Sequence, residues 1–160
     1  MAIVILGSSK CAICKRILNE ADVIRSFPHF MPNLNDELSF ISDTAVHTSC
    51  FVNHPLKDKI ESLVNRYDTA LKELKKYSFE EYNTGNVINF PAFTSDASDP
   101  LHQFNFAIIN LNDSSETNFL SSFILEANRF LQLGKWEQET GKNSLEYLIE
   151  RLGRKKSPIH

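Results

Sequence analysis

The sequence predicts an α+β fold in which a small antiparallel or mixed sheet is packed by two long amphipathic helices and a short C-terminal helix. Three observations carry this reading. Leu56, Ile60, Leu63, Val64, Tyr67, Leu71 and Leu74 recur at spacings of three and four, which puts them on one face of a helix over 56–77. Phe119, Leu120, Phe123, Ile124, Ala127, Phe130 and Leu131 do the same over 115–133. Before and between them lie apolar runs of strand length, "AIVIL" at 2–6, "VINF" at 87–90 and "QFNFAIINL" at 103–111.

In chain order, "AIVIL" is expected as a buried strand. "KRIL" and "DVIRSF" are expected as the arms of a hairpin turning at "NEA". "FPHFMPNLNDE" at 27–37, broken by two prolines, reads as loop. "SDTAVHTSCF" opens with Ser42, Asp43 and Thr44, all able to cap a short helix. The first long helix follows, then "VINF", a loop "PAFTSDASDP" and a central strand within "QFNFAIINL". Gly134 is placed to stop the second long helix, and Trp136 to anchor the core behind that stop. A third helix is expected over 144–152, capped by Asn143 with Glu146 three residues on and ended by Gly153. "FPHFMPNLNDEL" at 27–38 and "FPAFTSDASDPL" at 90–101 share Phe-Pro-x-Phe followed by Asp-x-Leu, an internal echo that duplication or chance explains equally well. The organisation expected is an N-terminal subdomain over 1–55, a compact helix–strand–helix unit over 56–153 packed against it, and a flexible tail over 154–160.

At 160 residues the chain has room for one ordinary domain or two small ones. Twelve phenylalanines against two methionines predict a core of rigid aromatic pieces. The net charge of −3 supplies no overall basic field, so nucleic acid is not an expected partner. No run approaches the roughly 20 apolar residues of a membrane span. The N-terminal run lacks a basic flank and a small-residue cleavage site, so no signal peptide is expected and the cytoplasm is the expected location.

All three cysteines fall in two short motifs, "CAIC" at 11–14 and "HTSC" at 47–50. An odd count suits a metal site better than a disulfide framework. A tight turn can aim the sulfurs of Cys11 and Cys14 at one ion, and His47 and Cys50, three apart, share a face at the start of a helix. Thiolate and imidazole donors are those of structural zinc, and four protein ligands close the site. His54, four residues after Cys50, competes with His47 for the fourth position, and His29 is a weaker candidate. The other assignments are a thioredoxin-like redox pair, which needs a strand-to-long-helix setting, and inert buried cysteines.

Turn pair, hairpin and a ligand pair at a helix together resemble a treble-clef zinc finger over residues 11–50. The spacing also resembles the first half of a LIM module, although 32 residues between Cys14 and His47 exceed that family's span. The resemblance implies a metal role for Cys11, Cys14, His47 and Cys50 and names no biological one. Treble-clef nucleases of the His-Asn-His type add a separate catalytic histidine, for which His29, Asn53 and His54 would be candidates. No phosphate-binding glycine loop or nucleophile elbow is present, so no enzyme is predicted.

The function expected is therefore a non-enzymatic protein-binding module. Acidic loop residues Asp36, Glu37, Asp96, Asp99, Asp113 and Glu116 are its candidate contacts for a basic protein partner, such as a toxin or nuclease domain. In size and acidity the chain resembles the immunity proteins that neutralise bacterial toxins, which implies inhibition of the partner. The alternatives are the metal-dependent nuclease and a zinc-finger nucleic-acid binder. Against the latter, the segment between the two ligand pairs holds three basic and five acidic residues.

Overall fold

A computed structural model describes residues 3–113, 116–138 and 144–154. The protein is α+β, with two separate two-stranded antiparallel sheets rather than one. The first pairs β1 (Ile24–Ser26) with β2 (Ala45–His47), and α1 (Thr48–Val52) follows β2 without a break. After α2 (Lys57–Leu74) and α3 (Phe79–Asn83), the second sheet pairs β3 (Val87–Asn89) with β4 (Ile108–Asn110). The chain then forms α4 (Thr117–Gln132) and α5 (Ser144–Arg154).

Both long helices form where the apolar spacing places them. Ile60, Leu63 and Ala70 are the buried positions of α2, and Phe123, Ala127 and Phe130 those of α4. Gly134 ends α4 in the left-handed region, at φ 65°, which only glycine adopts without cost. Its N–H bonds Leu131 O at 2.9 Å and the Lys135 N–H bonds Phe130 O at 3.2 Å, the paired bonds of a Schellman stop. Trp136 behind it is buried against Phe93. Asn143 lies outside the described residues, and α5 runs through Gly153 instead of ending there.

Three local expectations fail, two of them because the strands pair with distant partners. Residues 3–6 of "AIVIL" form no strand and are exposed or half-buried, Ile3 being 88% exposed. "KRIL" does not pair with "DVIRSF"; Lys10 bridges Ile17, and β1 pairs across the 18 residues 27–44 with β2. Residues 45–47, expected as helix, are that partner strand.

The internal echo is a structural repeat. Every pairing of the first hairpin recurs 63 positions on: Ile24 with His47 and Val87 with Asn110, Ser26 with Ala45 and Asn89 with Ile108. The hydrogen bonds recur as well. Phe27 N–H bonds Thr44 O at 2.8 Å, and Phe90 N–H bonds Ala107 O at 2.8 Å. Asp36 Oδ1 accepts from Leu38 N–H and Asp99 Oδ1 from Leu101 N–H, each at 2.9 Å. Asp43 and Phe106 both adopt the left-handed region, φ 54° and 61°, and bond back to Pro28 and Pro91. The shared "FPxF…DxL" pattern thus encodes one loop geometry: an Asp side chain accepts from the N–H two residues on, and a left-handed residue returns the chain to its strand.

The buried apolar residues form two clusters, and the first also takes in Ala92 and Phe106 of the second repeat. Phe27, Phe30, Leu38, Ile41, Val46 and Phe51 cluster with Ile60 and Leu63 of α2, a helix that the sequence grouped with the second unit. Phe90, Phe93, Phe104, Phe123, Phe130 and Leu148 form the other cluster. Buried polar bonds join them. Asn33 Nδ2 donates to Phe93 O and Lys135 O, both at 2.9 Å, while its Oδ1 accepts from Glu137 N–H. Asp36 Oδ2 accepts from Ser95 N–H at 2.6 Å. Arg66 of α2 donates to His102 Nε2 at 2.8 Å and to Asn105 O. Burial, then Arg66, holds the His102 pKa below its ordinary value, which keeps the ring a neutral acceptor at Nε2.

Candidate metal centre

Cys11 and Cys14 sit on a tight ribbon turn. Cys11 N–H bonds Arg16 O and Lys15 N–H bonds Cys11 O, both at 2.9 Å, and Lys15 takes a left-handed φ of 63° to close the turn. The Cys14 N–H points at Cys11 Sγ from 3.5 Å, so a backbone dipole supports that sulfur as an anion. Ala12 N–H bonds Ala45 O at 3.1 Å, which seats the turn against β2. His47 is the last residue of β2 and the cap position of α1, and Cys50 lies in the first turn of α1.

These elements bring four donors together. One atom each from Cys11, Cys14, His47 and Cys50 lies within 4.8 Å of every other, the one such group of three or more His, Cys, Asp or Glu side chains among the described residues. His47 Nδ1 is 3.4 Å from Cys14 Sγ and 3.8 Å from Cys50 Sγ. Cys11 and His47 are buried, and Cys14 and Cys50 are half-buried. The group can hold a metal ion. His54 lies outside it: its Nδ1 accepts from Leu56 N–H, and its ring packs on Phe40.

The surroundings prepare the donors unevenly. Arg16 beside Cys14 holds that thiol down at about 6, so Cys14 is a thiolate at neutral pH. Burial opposes ionisation of Cys11, but the amide of Cys14 and the bonds to His47 outweigh it and lower its pKa. Burial raises Cys50, and the neighbouring sulfur of Cys14 raises it further. The Cys11 sulfur raises the His47 pKa above its ordinary value, with Cys14 and Asp22 adding to the effect.

Two supporting residues were not identified as such from the sequence. Asp22 Oδ2 lies 3.3 Å from His47 Nε2, which turns Nδ1 toward the sulfurs, as carboxylates behind metal-bound histidines do. Asp22 is itself held by Asn19 N–H at 2.7 Å. Nothing in "NEAD" signals this role, because the link to His47 exists only after β1 and β2 pair. Arg16 supplies positive charge beside a donor set rich in thiolate.

The acidic residues expected at an interface divide. Asp36 and Asp99 are buried, with carboxylates engaged inside the fold, Asp99 by Lys135 at 2.7 Å as well as by Leu101 N–H. Both are buried within their loops, unlike the exposed contacts expected for a basic partner. Glu37, Asp96 and Asp113 are exposed and Glu116 is half-buried; Glu37 pairs with Lys59. Of the nuclease candidates, Asn53 ends α1 with its Nδ2 on Ser49 O, His54 packs as above, and His29 belongs to the Phe-Pro-x-Phe loop. Among the described residues no helix is long and apolar enough to cross a membrane. No known protein family, curated protein or solved structure matches the chain.

Proposed function

We propose that the protein is a zinc-clamped, non-enzymatic protein-binding module. The observation that supports the clamp is the spacing of the four donors. A tetrahedron with Zn–S of about 2.3 Å and Zn–N of about 2.0 Å has N···S edges of about 3.5 Å. His47 Nδ1 lies 3.4 and 3.8 Å from two of the sulfurs, close to that spacing before any ion is added. Three sulfurs and one imidazole are the donors of structural zinc, and a set of four protein ligands leaves no position for a reacting water. Cys11, Cys14, His47 and Cys50 would hold the ion, and its contribution would be to lock the ribbon turn to the hairpin and α1.

Support for a binding role comes from apolar side chains exposed around this clamp. Ile3, Ile5 and Val23 are more than 60% exposed and Val52 55%. Val23 O accepts from Thr48 N–H, so Val23 sits beside the start of α1, and Val52 lies one turn further along it. Large apolar side chains exposed to solvent are what a partner surface uses. The narrower expectation of an inhibitor rests on size and acidity alone.

The test combines metal content with capture. Protein purified without a metal-affinity tag is expected to carry one zinc per chain by mass spectrometry, and Cys14→Ala to lose it. A Val23→Asp, Val52→Asp variant is expected to keep its zinc and lose a partner that the wild type retains from lysate. Zinc-free wild-type protein would sink the clamp, and identical retained partners in both forms would sink the surface.

A further inference from the structure

Between α2 and the second repeat runs a groove of about 650 Å³, the size of a small-molecule site. Arg66 and Glu73 line it from α2, and Asn105, Phe106 and Ile108 from the facing repeat. The head group of Arg66, and not only its stem, belongs to this wall. Its Nη2 donates to Asn105 O at 3.1 Å, and its Cζ lies 5.8 Å from the centre of the Phe106 ring, both residues of the groove. Nη1 bonds His102 Nε2 at 2.8 Å. A guanidinium carries five N–H donors, so two bonds leave most of its capacity over.

Arg66 also lacks a counter-charge. Among the described residues it forms no ion pair, whereas Arg25 pairs with Glu61 and Arg129 with Asp99 and Glu126. Burial lowers its pKa from the ordinary value, and no acidic neighbour opposes that shift. A partly desolvated charge without a partner is costly, and such charges are normally paired. Glu73 is the one carboxylate among the described lining residues, and it pairs with Lys76. A half-buried cation with spare donors, at the wall of a groove of ligand size, is equipped to receive an anion from outside the fold.

We propose that this groove binds a small monocarboxylate with an apolar or aromatic body, its carboxylate on Arg66 and its body against Tyr77, Phe106 and Ile108. The planar fork of a guanidinium matches a carboxylate. A single cation with Glu73 on the same wall suits one negative charge better than a phosphate dianion. None of the four metal-centre donors lines the groove, so the proposal stands apart from the zinc reading and from the partner surface.

Benzoate is the probe, with benzamide as its uncharged counterpart, each titrated at constant ionic strength into the full ¹⁵N-labelled chain. Saturable amide shifts are expected with benzoate at Thr69, Asn105 and Ile108, leaving those of Cys14 and Cys50 unmoved. Benzamide is expected to bind about tenfold more weakly, the loss of roughly one charge-assisted hydrogen bond. Arg66→Gln is expected to remove the preference for benzoate. If that variant does not fold, Thr69→Glu decides. Thr69 is exposed and one turn along α2 from Arg66, so the new carboxylate lies within reach of the guanidinium. It is expected to weaken benzoate about tenfold and to leave benzamide unchanged. No saturation by about 50 mM benzoate, or equal binding of both probes by the wild-type chain, would overturn the proposal. So would a preference kept in folded Arg66→Gln, or undiminished benzoate binding by folded Thr69→Glu.

Discussion

In the first repeat the segment after the hairpin is α1, five residues long, carrying Cys50; in the second it leads to α4, sixteen residues long, carrying Phe123. The hairpins themselves share register, capping aspartate and left-handed return. They differ in what holds them to the adjoining helix. Phe27 meets one aromatic ring, Phe51, at 5.0 Å, and the first repeat also holds the four side chains able to bind a metal ion. Phe90 packs against Phe93, Phe119 and Phe123, the last at 4.4 Å, and Phe104 adds two further contacts. At the positions equivalent to His47 and Cys50 the second repeat has Asn110 and Asp113, and it has no cysteine at all.

A helix of a turn and a half cannot bury enough apolar surface to hold itself in place, whereas four turns with an aromatic face can. One hairpin scaffold is thus compatible with two kinds of fastening. Coordination suits a short, loop-rich segment, and an aromatic stack suits a long helix. The comparison also explains why the cysteines are concentrated at one end of the chain while the densest phenylalanine stack lies toward the other.

The largest effect is expected from removing the metal ion proposed for the first repeat. In small metal-dependent modules, binding contributes on the order of 10 kcal/mol to folding. Chelation is expected to abolish hydrogen-exchange protection in β1, β2 and α1 while leaving α4 protected; uniform loss across both repeats would show a single fastening. Acid should act in the same way. The Cys14 thiolate is stabilised in the fold, its pKa lowered from 9.0 to about 6, so its contribution is present above its ordinary range and lost as pH falls through about 6. The His47 pKa is raised, so acid also favours a proton over a cation at that ring. If the proposed ion is bound there, acid is expected to release it, read by a metal-responsive dye.

A smaller effect tests the other fastening. Phe123 is fully buried and touches three phenylalanines, so Phe123→Ala is expected to cost about 3–5 kcal/mol in denaturant unfolding. Its metal content should stay that of the wild type. Loss of the metal in this variant would mean that the second core also supports the first.

The smallest effect concerns the junction. Asp36 caps its own loop and also accepts from Ser95 of the other repeat. Asp36→Ala is expected to cost about 1–3 kcal/mol, because two buried N–H groups lose their acceptor. Asp99→Ala, whose partners are Leu101, Lys135 and Arg129 of its own repeat, is the matched control. If the junction depends on Asp36, only Asp36→Ala should separate the unfolding of the two repeats into distinct transitions.

The sequence by itself determined what local periodicity and local chemistry can express. The faces of α2 and α4 follow from side-chain spacing, the stop at Gly134 from its conformational freedom, and the gathering of Cys11, Cys14, His47 and Cys50 from two short motifs whose residues are chemically rare. The tertiary structure decided everything that depends on a distant partner. It left Ile3 and Ile5 exposed instead of in a strand, made residues 45–47 the partner of β1, buried Asp36 and Asp99, and placed Asp22 behind His47. It also settled that the "FPxF" echo is one loop built twice, because a faint match of letters cannot show what a hydrogen-bond pattern repeated 63 residues on does show. The physical reason is common to all of these. Strand pairing and the burial of polar groups are set by segments far apart in the chain, and three-residue strands are too short to signal their partners in advance.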